Sequence, residues 1–335
     1  MMGIGVIGAG YWGPNFVRNF HNHRRVRLVC ICDKDPARLI WAKQMYPEIR
    51  VTQSPEELIA DPTVNAVAIM TPAESHFALA KQTITAGKHA LVAKPLTTNV
   101  QQAEILEKEA EKKGVVLMVD HTFIFSGSVQ KIREMIDSGS IGNLRYFDAT
   151  RINLGLFQKD INVLWDLATH DLAILNFLVG ENPTAVSATG YTHIPRQPEY
   201  AAFLTLFFPD KIAHINVNWL SPVKVRRLLI GGSKKMIVYD DVNPDEKVKV
   251  YEKSITEKLD PENIRNMLIS YRTGDIWCPK IENTEALRNE IDHFLDCVEK
   301  KHPPISNARQ SISILRVLEA ANQSIRFRGQ PVEVT

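Results

Sequence analysis

The chain has few cysteines, almost no charge excess and no long apolar run. Four cysteines in 335 residues do not make a disulfide framework, and we expect no metal site. A net charge of +2 is too small for the concentrated basic face that nucleic-acid binding requires. Met1–Gly3 shows no basic flank followed by an apolar signal core, and no apolar stretch reaches membrane-spanning length. These absences predict a cytoplasmic protein that binds neither nucleic acids nor membranes.

The length and composition indicate a globular protein of two domains. The sequence is 44% hydrophobic and 23% charged, which is ordinary for globular chains and excludes the disordered and fibrous classes. The chain is also long enough to bury a large core.

The first fifteen residues combine an apolar strand with a glycine-rich turn. Gly3–Ile7 leads directly into Gly8, Gly10 and Gly13, in the pattern Gly-x-Gly-x-x-Gly. In a dinucleotide site these glycines permit the tight turn, the approach of the pyrophosphate to the backbone, and close packing of the following helix. The anion then lies at the helix N-terminus. The alternative is an ordinary strand-to-helix turn.

An acidic residue follows the second predicted strand, and an ordinary strand-to-helix turn would not require it. Asp33 ends the apolar run Leu28–Cys32, twenty residues after Gly13 (33 − 13 = 20). A carboxylate there can accept hydrogen bonds from both ribose hydroxyls and would repel a 2′-phosphate. We therefore expect NAD to be preferred over NADP, with the discrimination softened by Lys34.

Apolar, strand-like runs alternate with helical patterns through the first third of the chain. The helix after Thr98 is the clearest, because Ala103, Leu106 and Ala110 recur at helical spacing and Gly114 follows its end. This alternation is typical of a doubly wound parallel sheet. The predicted strands are Ile4–Ile7, Leu28–Ile31, Ala66–Met70, Ala90–Val92 and Val115–Val119.

After His121 the pattern changes to alternating segments, which predict a largely antiparallel sheet. We predict a Rossmann domain over residues 1–122 and an α+β domain for substrate binding and oligomerisation over residues 123–335. Helices near Thr284–Glu299 and Ser311–Ile325 are expected to cover the flank of the second sheet. Its predicted strands are Arg145–Asn153, Ala201–Phe208, Ala213–Trp219, Arg227–Ile230 and Lys247–Tyr251.

Ligands of open parallel sheets bind beyond the carboxyl ends of the strands. Thr71, Pro72 and His76 follow one predicted strand and Lys94 follows the next. A lysine at that point would reach the crevice where a nicotinamide lies, although it could also end a strand at the surface.

The second domain contains an acid and an imidazole one helical turn apart. Asp166 and His170 lie four residues apart, so they share a helix face, in a predicted helix that ends at Gly180. A carboxylate that orients an imidazole suits acid–base chemistry near neutral pH. An isolated pair of this kind is also common on protein surfaces.

Taken together, these features resemble the glucose-fructose oxidoreductase and inositol dehydrogenase family. The hallmarks of that family are an N-terminal Rossmann domain, a Glu-Lys-Pro motif and a later Asp-x-x-x-His helix, and the resemblance covers essentially the whole chain. Longer strings at 10–15, 121–123, 151–155, 162–171 and 219–226 look most like UDP-N-acetylglucosaminuronate 3-dehydrogenases and neighbouring nucleotide-sugar oxidoreductases. One residue departs from the pattern, because Ala93 stands where the family carries a glutamate.

The resemblance implies NAD-dependent hydride transfer to or from a secondary alcohol of a sugar, by a homodimer or homotetramer. His170 is the candidate base and Asp166 its orienting acid, while Lys94 holds the alcohol oxygen; Lys94 and His170 could exchange roles. A free sugar or cyclitol substrate and a catalytically weak NAD-binding homologue remain open. The expected cofactor-binding residues are Gly8, Gly10, Tyr11, Trp12, Gly13, Asp33, Lys34, Thr71, Pro72, His76, Lys94 and Trp165. The expected substrate-binding residues are Lys94, His121, Arg151, Asn153, Asp166, His170, Lys224 and Arg226.

Overall fold

A computed structural model of the chain describes residues 1–155, 161–194, 197–252, 255–257, 269–271 and 274–335. The described chain forms two compact units. The first unit comprises Met1–Phe125 and Thr284–Leu315, and the second comprises Ser126–Asn283 and Arg316–Thr335. None of the helices in the described ranges is long and apolar enough to cross a membrane.

The first unit is built on a six-stranded parallel sheet in the order β3-β2-β1-β4-β5-β6. This order reverses direction at β1 and β4, which is the doubly wound arrangement expected from the alternating sequence pattern. The strands are β1 Met2–Ile7, β2 Val26–Cys32, β3 Arg50–Thr52, β4 Ala66–Ile69, β5 His89–Ala93 and β6 Leu117–Asp120. The helices between them are α1 Gly13–His21, α2 Pro36–Met45, α3 Pro55–Ala60, α4 His76–Thr85 and α5 Val100–Lys113.

Helix α5 shows how sequence signals set the limits of these elements. The side chain of Asn99 caps its first turn by accepting a hydrogen bond from the backbone N–H of Gln102 at 2.9 Å. Ala103, Leu106 and Ala110 are buried, and Gly114 ends the helix in the left-handed conformation with φ 65°. The helix therefore begins and ends where its capping residues predict.

The second unit contains a nine-stranded sheet in the order β16-β13-β12-β11-β7-β10-β9-β8-β17. β7 and β10 run parallel, and the remaining neighbours in this sheet are antiparallel. The predicted combination of a parallel Rossmann sheet and a largely antiparallel second sheet is thus confirmed. The strands are β7 Leu144–Leu154, β8 Ala185–Tyr191, β9 Ala201–Phe207, β10 Ile212–Asn218, β11 Leu220–Gly232, β12 Met236–Asp240, β13 Val248–Tyr251, β16 Ile276–Trp277 and β17 Val332–Glu333, with β14 Ile255–Glu257 and β15 Ile269–Tyr271 forming a separate pair.

Helices α6 Gly127–Asp137 and α7 Thr169–Val179 belong to the second unit, whereas α8 Ala286–Lys300 belongs to the first. The expectation that the segment near 284–299 flanks the second sheet is therefore wrong. Arg25, just before β2, forms ion pairs with Asp292 and Asp296 of α8 at 3.1 and 2.6 Å. The amide of Asn289 also donates to the carbonyl of Phe125 at 3.1 Å.

Helix α9, Ala308–Arg326, begins in the first unit and continues in the second. In the second unit, the hydroxyl of Ser324 accepts a hydrogen bond from the backbone N–H of Ala188 in β8 at 2.8 Å. The compact units thus differ from two contiguous ranges divided at 122/123, because residues 284–315 return to the first unit.

Candidate functional site

The three glycines of the turn after β1 meet three different steric demands. Gly8 has φ +97°, a conformation that L side chains rarely adopt. A Cβ on Gly13 would collide with the carbonyl oxygen of Gly8. A Cβ on Gly10 would meet no heavy atom of the described residues within 4 Å. Gly10 therefore leaves open space over the backbone, which is what the approach of a pyrophosphate requires.

The carboxylate of Asp33 lies immediately after β2 and is tied to the glycine turn. Its Oδ2 accepts a hydrogen bond from the backbone N–H of Ala9 at 2.6 Å, and its Oδ1 accepts one from the N–H of Asp35 at 2.9 Å. The side chain is only partly buried. Each oxygen keeps further acceptor capacity, so Asp33 remains suited to ribose hydroxyls. Lys34 beside it is exposed.

These features fit a dinucleotide. The turn, the open backbone at Gly10 and the acid at the end of β2 occupy the carboxyl edge of a doubly wound sheet, where such ligands bind. Tyr11 and Trp12 lie within the same turn and are 90% and 37% exposed.

His76 connects the two loops that follow β4 and β5. Its Nδ1 lies 2.7 Å from the carbonyl oxygen of Pro95 and its Nε2 lies 2.7 Å from that of Thr71. The side chain is only 1% exposed. Burial lowers the pKa of His76, against the effect of the two carbonyl groups, and the ammonium of Lys94 lowers it further. This geometry favours a role in holding the loops of Thr71 and Lys94 over the predicted cofactor contact.

His121 is also more deeply buried than its predicted contact with substrate requires. It is 3% exposed, and its Nε2 lies 3.4 Å from the hydroxyl of Ser311. Burial, with a smaller effect of the Lys94 ammonium, lowers the pKa of His121 to about 3. The imidazole is therefore neutral at physiological pH, and its burial favours a structural role.

Asp166 and His170 lie where a π-helical turn, Leu164–Ala168, runs into α7. Because π-helical hydrogen bonds join residues five apart, the one-turn geometry expected for an α-helix does not strictly apply here. Both side chains are partly buried, while Trp165 is 7% exposed. Gly180 ends α7 in the left-handed conformation, as predicted.

Trp219 positions Asp166. Its indole Nε1 donates a hydrogen bond to Asp166 Oδ2 at 3.0 Å, and the tryptophan is fully buried. A Cβ on Gly155 would collide with the indole ring. In the sequence, Gly155 and Trp219 are recognisable only as parts of the family-like strings, because their contact joins residues far apart in the chain.

Arg151 forms a buried, bidentate ion pair with Asp171. Its Nε and Nη2 donate to the two carboxylate oxygens at 3.0 and 2.8 Å, and the two side chains are 4% and 2% exposed. A diphosphate would have to compete with this carboxylate. The structure thus favours a structural role over the predicted substrate contact.

The other predicted substrate residues on β7 and β11 differ in exposure. Arg226 is partly buried and lies 3.4 Å from Asp241, which also accepts a hydrogen bond from the hydroxyl of Tyr239 at 3.0 Å. Lys224 is exposed and Asn153 is partly buried. Of this predicted set on the two strands, Lys224 is the cation most accessible to a ligand.

Both parts of the chain match models of one protein family. Residues 2–121 match the model described as oxidoreductase family, NAD-binding Rossmann fold. Residues 133–334 match the companion model, oxidoreductase family, C-terminal alpha/beta domain.

The similar proteins include enzymes for two kinds of substrate. UDP-N-acetylglucosamine 3-dehydrogenase of Acidithiobacillus ferrooxidans is 26% identical over 330 residues, covering 96% of each chain. Inositol 2-dehydrogenase of Rhizobium meliloti is 24% identical over 340 residues, covering 98% of each. Among solved structures, GenD2 from gentamicin A biosynthesis, in complex with NAD, has a TM-score of 0.83 at 22% identity and covers 100% of this chain and 96% of its own.

Proposed function

Because the chain belongs to the glucose-fructose oxidoreductase and inositol dehydrogenase (Gfo/Idh/MocA) family of NAD-binding oxidoreductases, we propose that it oxidises a sugar nucleotide or catalyses the reverse reduction. The expected position of reaction is C3 of a UDP-linked N-acetyl sugar or its uronate. This substrate is proposed because the chain is similar to UDP-N-acetylglucosamine 3-dehydrogenase along nearly the whole of both chains. The family resemblance and the NAD cofactor inferred from the sequence are confirmed; the sugar is our proposal.

The side chains of this protein supply the proton chemistry of the proposed reaction. Bound NAD supplies the acceptor for the hydride of the carbinol carbon. An alcohol is too weak an acid to ionise unaided at pH 7, so a base must take its proton. We assign that role to His170 and assign the orientation of its ring to Asp166, which Trp219 holds.

Lys94 is the proposed partner of this base. It follows β5 at the carboxyl edge of the parallel sheet, and its ammonium influences two buried histidines, His76 and His121. A cation at this edge stabilises negative charge that develops on the alcohol oxygen. In the reverse assignment, Lys94 takes the proton and His170 holds the alcohol oxygen.

Cofactor preference follows from Asp33. We propose that its carboxylate faces the ribose, where a 2′-phosphate of NADP would experience like-charge repulsion that Lys34 reduces but does not cancel. We expect calorimetric titration to give tighter binding of NAD than of NADP. Tighter binding of NADP would show that Asp33 does not face the ribose.

The substrate choice is tested by thermal stability. A ligand that binds only the native state raises the melting temperature by mass action, so we expect a UDP-linked N-acetyl sugar or uronate to do so in the presence of NAD. Lys224→Ala should reduce the shift, because Lys224 is the most accessible cation among the predicted substrate residues on β7 and β11. Stabilisation by free inositol or glucose and by no UDP-sugar would refute the proposal.

A cyclitol dehydrogenase is the second candidate. The whole-length similarity to inositol 2-dehydrogenase favours it, and the same residues would serve. Ala93 favours a third possibility, a catalytically weak NAD-binding homologue, which would bind NAD without turning over any compound of either class.

We also propose that the nine-stranded sheet pairs with a second copy of the chain. One face of this sheet leaves Tyr146, Phe203 and Ile212 exposed at 38%, 48% and 47%. These three side chains lie on the same face, because Ile212 pairs with Tyr146 and because Asn216, on the same face as Ile212, pairs with Phe203. Exposed large apolar side chains on one sheet face are typical of an interaction surface. Sedimentation should give a dimer or tetramer, and Phe203→Glu should dissociate it; a monomeric wild-type protein would refute this proposal.

A further inference from the structure

The tryptophan of the glycine turn is bound to a residue at the far side of the parallel sheet. Trp12 Nε1 donates a hydrogen bond to Asp120 Oδ2 at 2.7 Å. Trp12 lies just after β1, whereas Asp120 is the last residue of β6. Two strands, β4 and β5, separate β1 from β6. At a spacing of about 4.8 Å per strand this is a span of roughly 14 Å, so the contact crosses the carboxyl ends of β4 and β5.

The span covers the edge of the sheet at which ligands of this fold bind. Thr71 and Lys94 follow the two strands that are crossed. Asp120 in β6 pairs in register with Ala93 in β5. At this level of the carboxyl edge, Asp120 supplies a carboxylate, whereas Ala93 supplies no polar side chain. The Trp12 ring also packs against Phe16 in a T-shaped arrangement, with ring centroids 6.4 Å apart.

Hydrogen bonds from the following loop hold the Asp120 side chain in place. Its Oδ1 accepts hydrogen bonds from the backbone N–H of Thr122, at 3.1 Å, and from the Thr122 hydroxyl. The carboxyl group of Glu290 in α8 lies beside Asp120, near the Thr122 hydroxyl and the His121 backbone amide. Glu290 is fully buried and Asp120 is 5% exposed.

Asp120 and Glu290 are two buried carboxyl groups that lie close to each other. As a pair of carboxylates they would repel each other, and the Glu290 oxygens would be buried without a regular hydrogen bond among the described residues. Burial, and then the charge of Asp120, raise the pKa of Glu290 well above its usual value. Both effects favour the protonated form of Glu290, which is able to donate a hydrogen bond to Asp120.

We propose that Asp120 is a positioning residue of the NAD site, which holds the Trp12 indole across the carboxyl edge of the sheet, and that the buried carboxyl group of Glu290 holds Asp120 in place. The inference rests on NAD binding by the first unit and not on the identity of the sugar. A side chain ordered before the ligand arrives does not have to be immobilised on binding. Loss of this contact should therefore weaken cofactor binding rather than change the chemical step.

The test is a double-mutant cycle on the affinity for NADH, measured by calorimetry without any sugar. Trp12→Phe keeps an aromatic ring but removes the donor, and Asp120→Ala removes the acceptor. Each should raise Kd roughly three- to tenfold, and the double variant should be no weaker than the single ones, because both remove the same contact. Energy transfer from tryptophan to bound NADH, compared with Trp12→Phe, should show that Asp120→Ala changes the contribution of Trp12.

Glu290 is tested by a matched pair of variants. Glu290→Gln keeps the shape and a donor towards Asp120, so its Kd should equal that of the wild type, whereas Glu290→Leu should resemble Asp120→Ala. Should Asp120→Ala fail to fold, Asp120→Val, which also removes the acceptor, completes the cycle with Trp12→Phe. The inference would be overturned if the effects of the two substitutions on Kd multiplied in the double variant, or if Trp12→Phe left Kd unchanged. A wild-type protein that binds no NADH would instead overturn the cofactor assignment, and the inference with it.

Discussion

Replacing Arg151 by methionine should destabilise the second unit strongly. The change leaves the Asp171 carboxylate, 2% exposed, without the two N–H donors that now lie 3.0 and 2.8 Å from its oxygens. Removing one partner of a buried ion pair costs about 3–5 kcal/mol. For a unit of this size, about 1 kcal/mol corresponds to 2–4 °C, so Arg151→Met should lower the melting temperature by roughly 6–20 °C.

The double variant Arg151→Met/Asp171→Leu provides the decisive comparison. Replacement of a whole buried pair by apolar residues is often neutral or stabilising, so the double variant should recover most of the lost stability in calorimetric melting. Lys131→Met is the control, because its ion pair with Glu134 is exposed and should contribute little.

Two results would contradict a purely structural role of Arg151. One is a single variant that melts with the wild type, which would mean that the pair is not desolvated as described. The other is a double variant that folds normally but is no longer stabilised by any UDP-sugar. That outcome would restore Arg151 to the substrate-binding role that the sequence predicted.

Three further predictions concern the first unit and the proposed chemistry. Lys94→Ala and His170→Ala should each lower turnover about a hundredfold or more, with the double variant losing far less than the product, because groups acting as a unit are not additive; near-wild-type turnover in either single variant would remove that residue from the mechanism. Gly10→Ala should weaken NAD binding at unchanged melting temperature, because its Cβ meets open space, whereas Gly13→Ala should lower the melting temperature because its Cβ collides with backbone; equal effects of the two would contradict the assigned roles. Glu290→Gln should gain stability relative to the wild type as pH rises above about 4.5, since the buried acid stays protonated while the unfolded one ionises; a difference in melting temperature that is constant with pH would show that Glu290 is ionised in the fold.

The sequence predicted the parallel sheet well because its strands are buried on both sides and read as apolar runs. Strand β3, Arg50–Thr52, was missed, since three residues without an apolar run carry no periodic signal. Strands β8 and β12 of the second sheet were missed as well. The pattern of α8 predicts a helix, but a buried stripe does not say which sheet the helix covers.

The candidate site was predictable where function depends on local spacing. The glycine turn and Asp33 are of this kind, because one strand, one turn and one helix place them. The partners of Arg151 and Asp166 are not, because Asp171 lies 20 positions and Trp219 lies 53 positions away along the chain. The π-helical turn before α7 could not be predicted either, because its apolar pattern fits an α-helix equally well.

In the proposed reaction, the hydrogen on C3 of a UDP-linked N-acetyl sugar moves to NAD. The most direct test supplies UDP-N-acetylglucosamine, or its uronate, with deuterium at C3 and analyses the reduced cofactor by mass spectrometry. We expect deuterated NADH from the wild type and almost none from His170→Ala. Unlabelled NADH would place the reaction at another carbon, and formation of NADH only from inositol or a free sugar would contradict the claim.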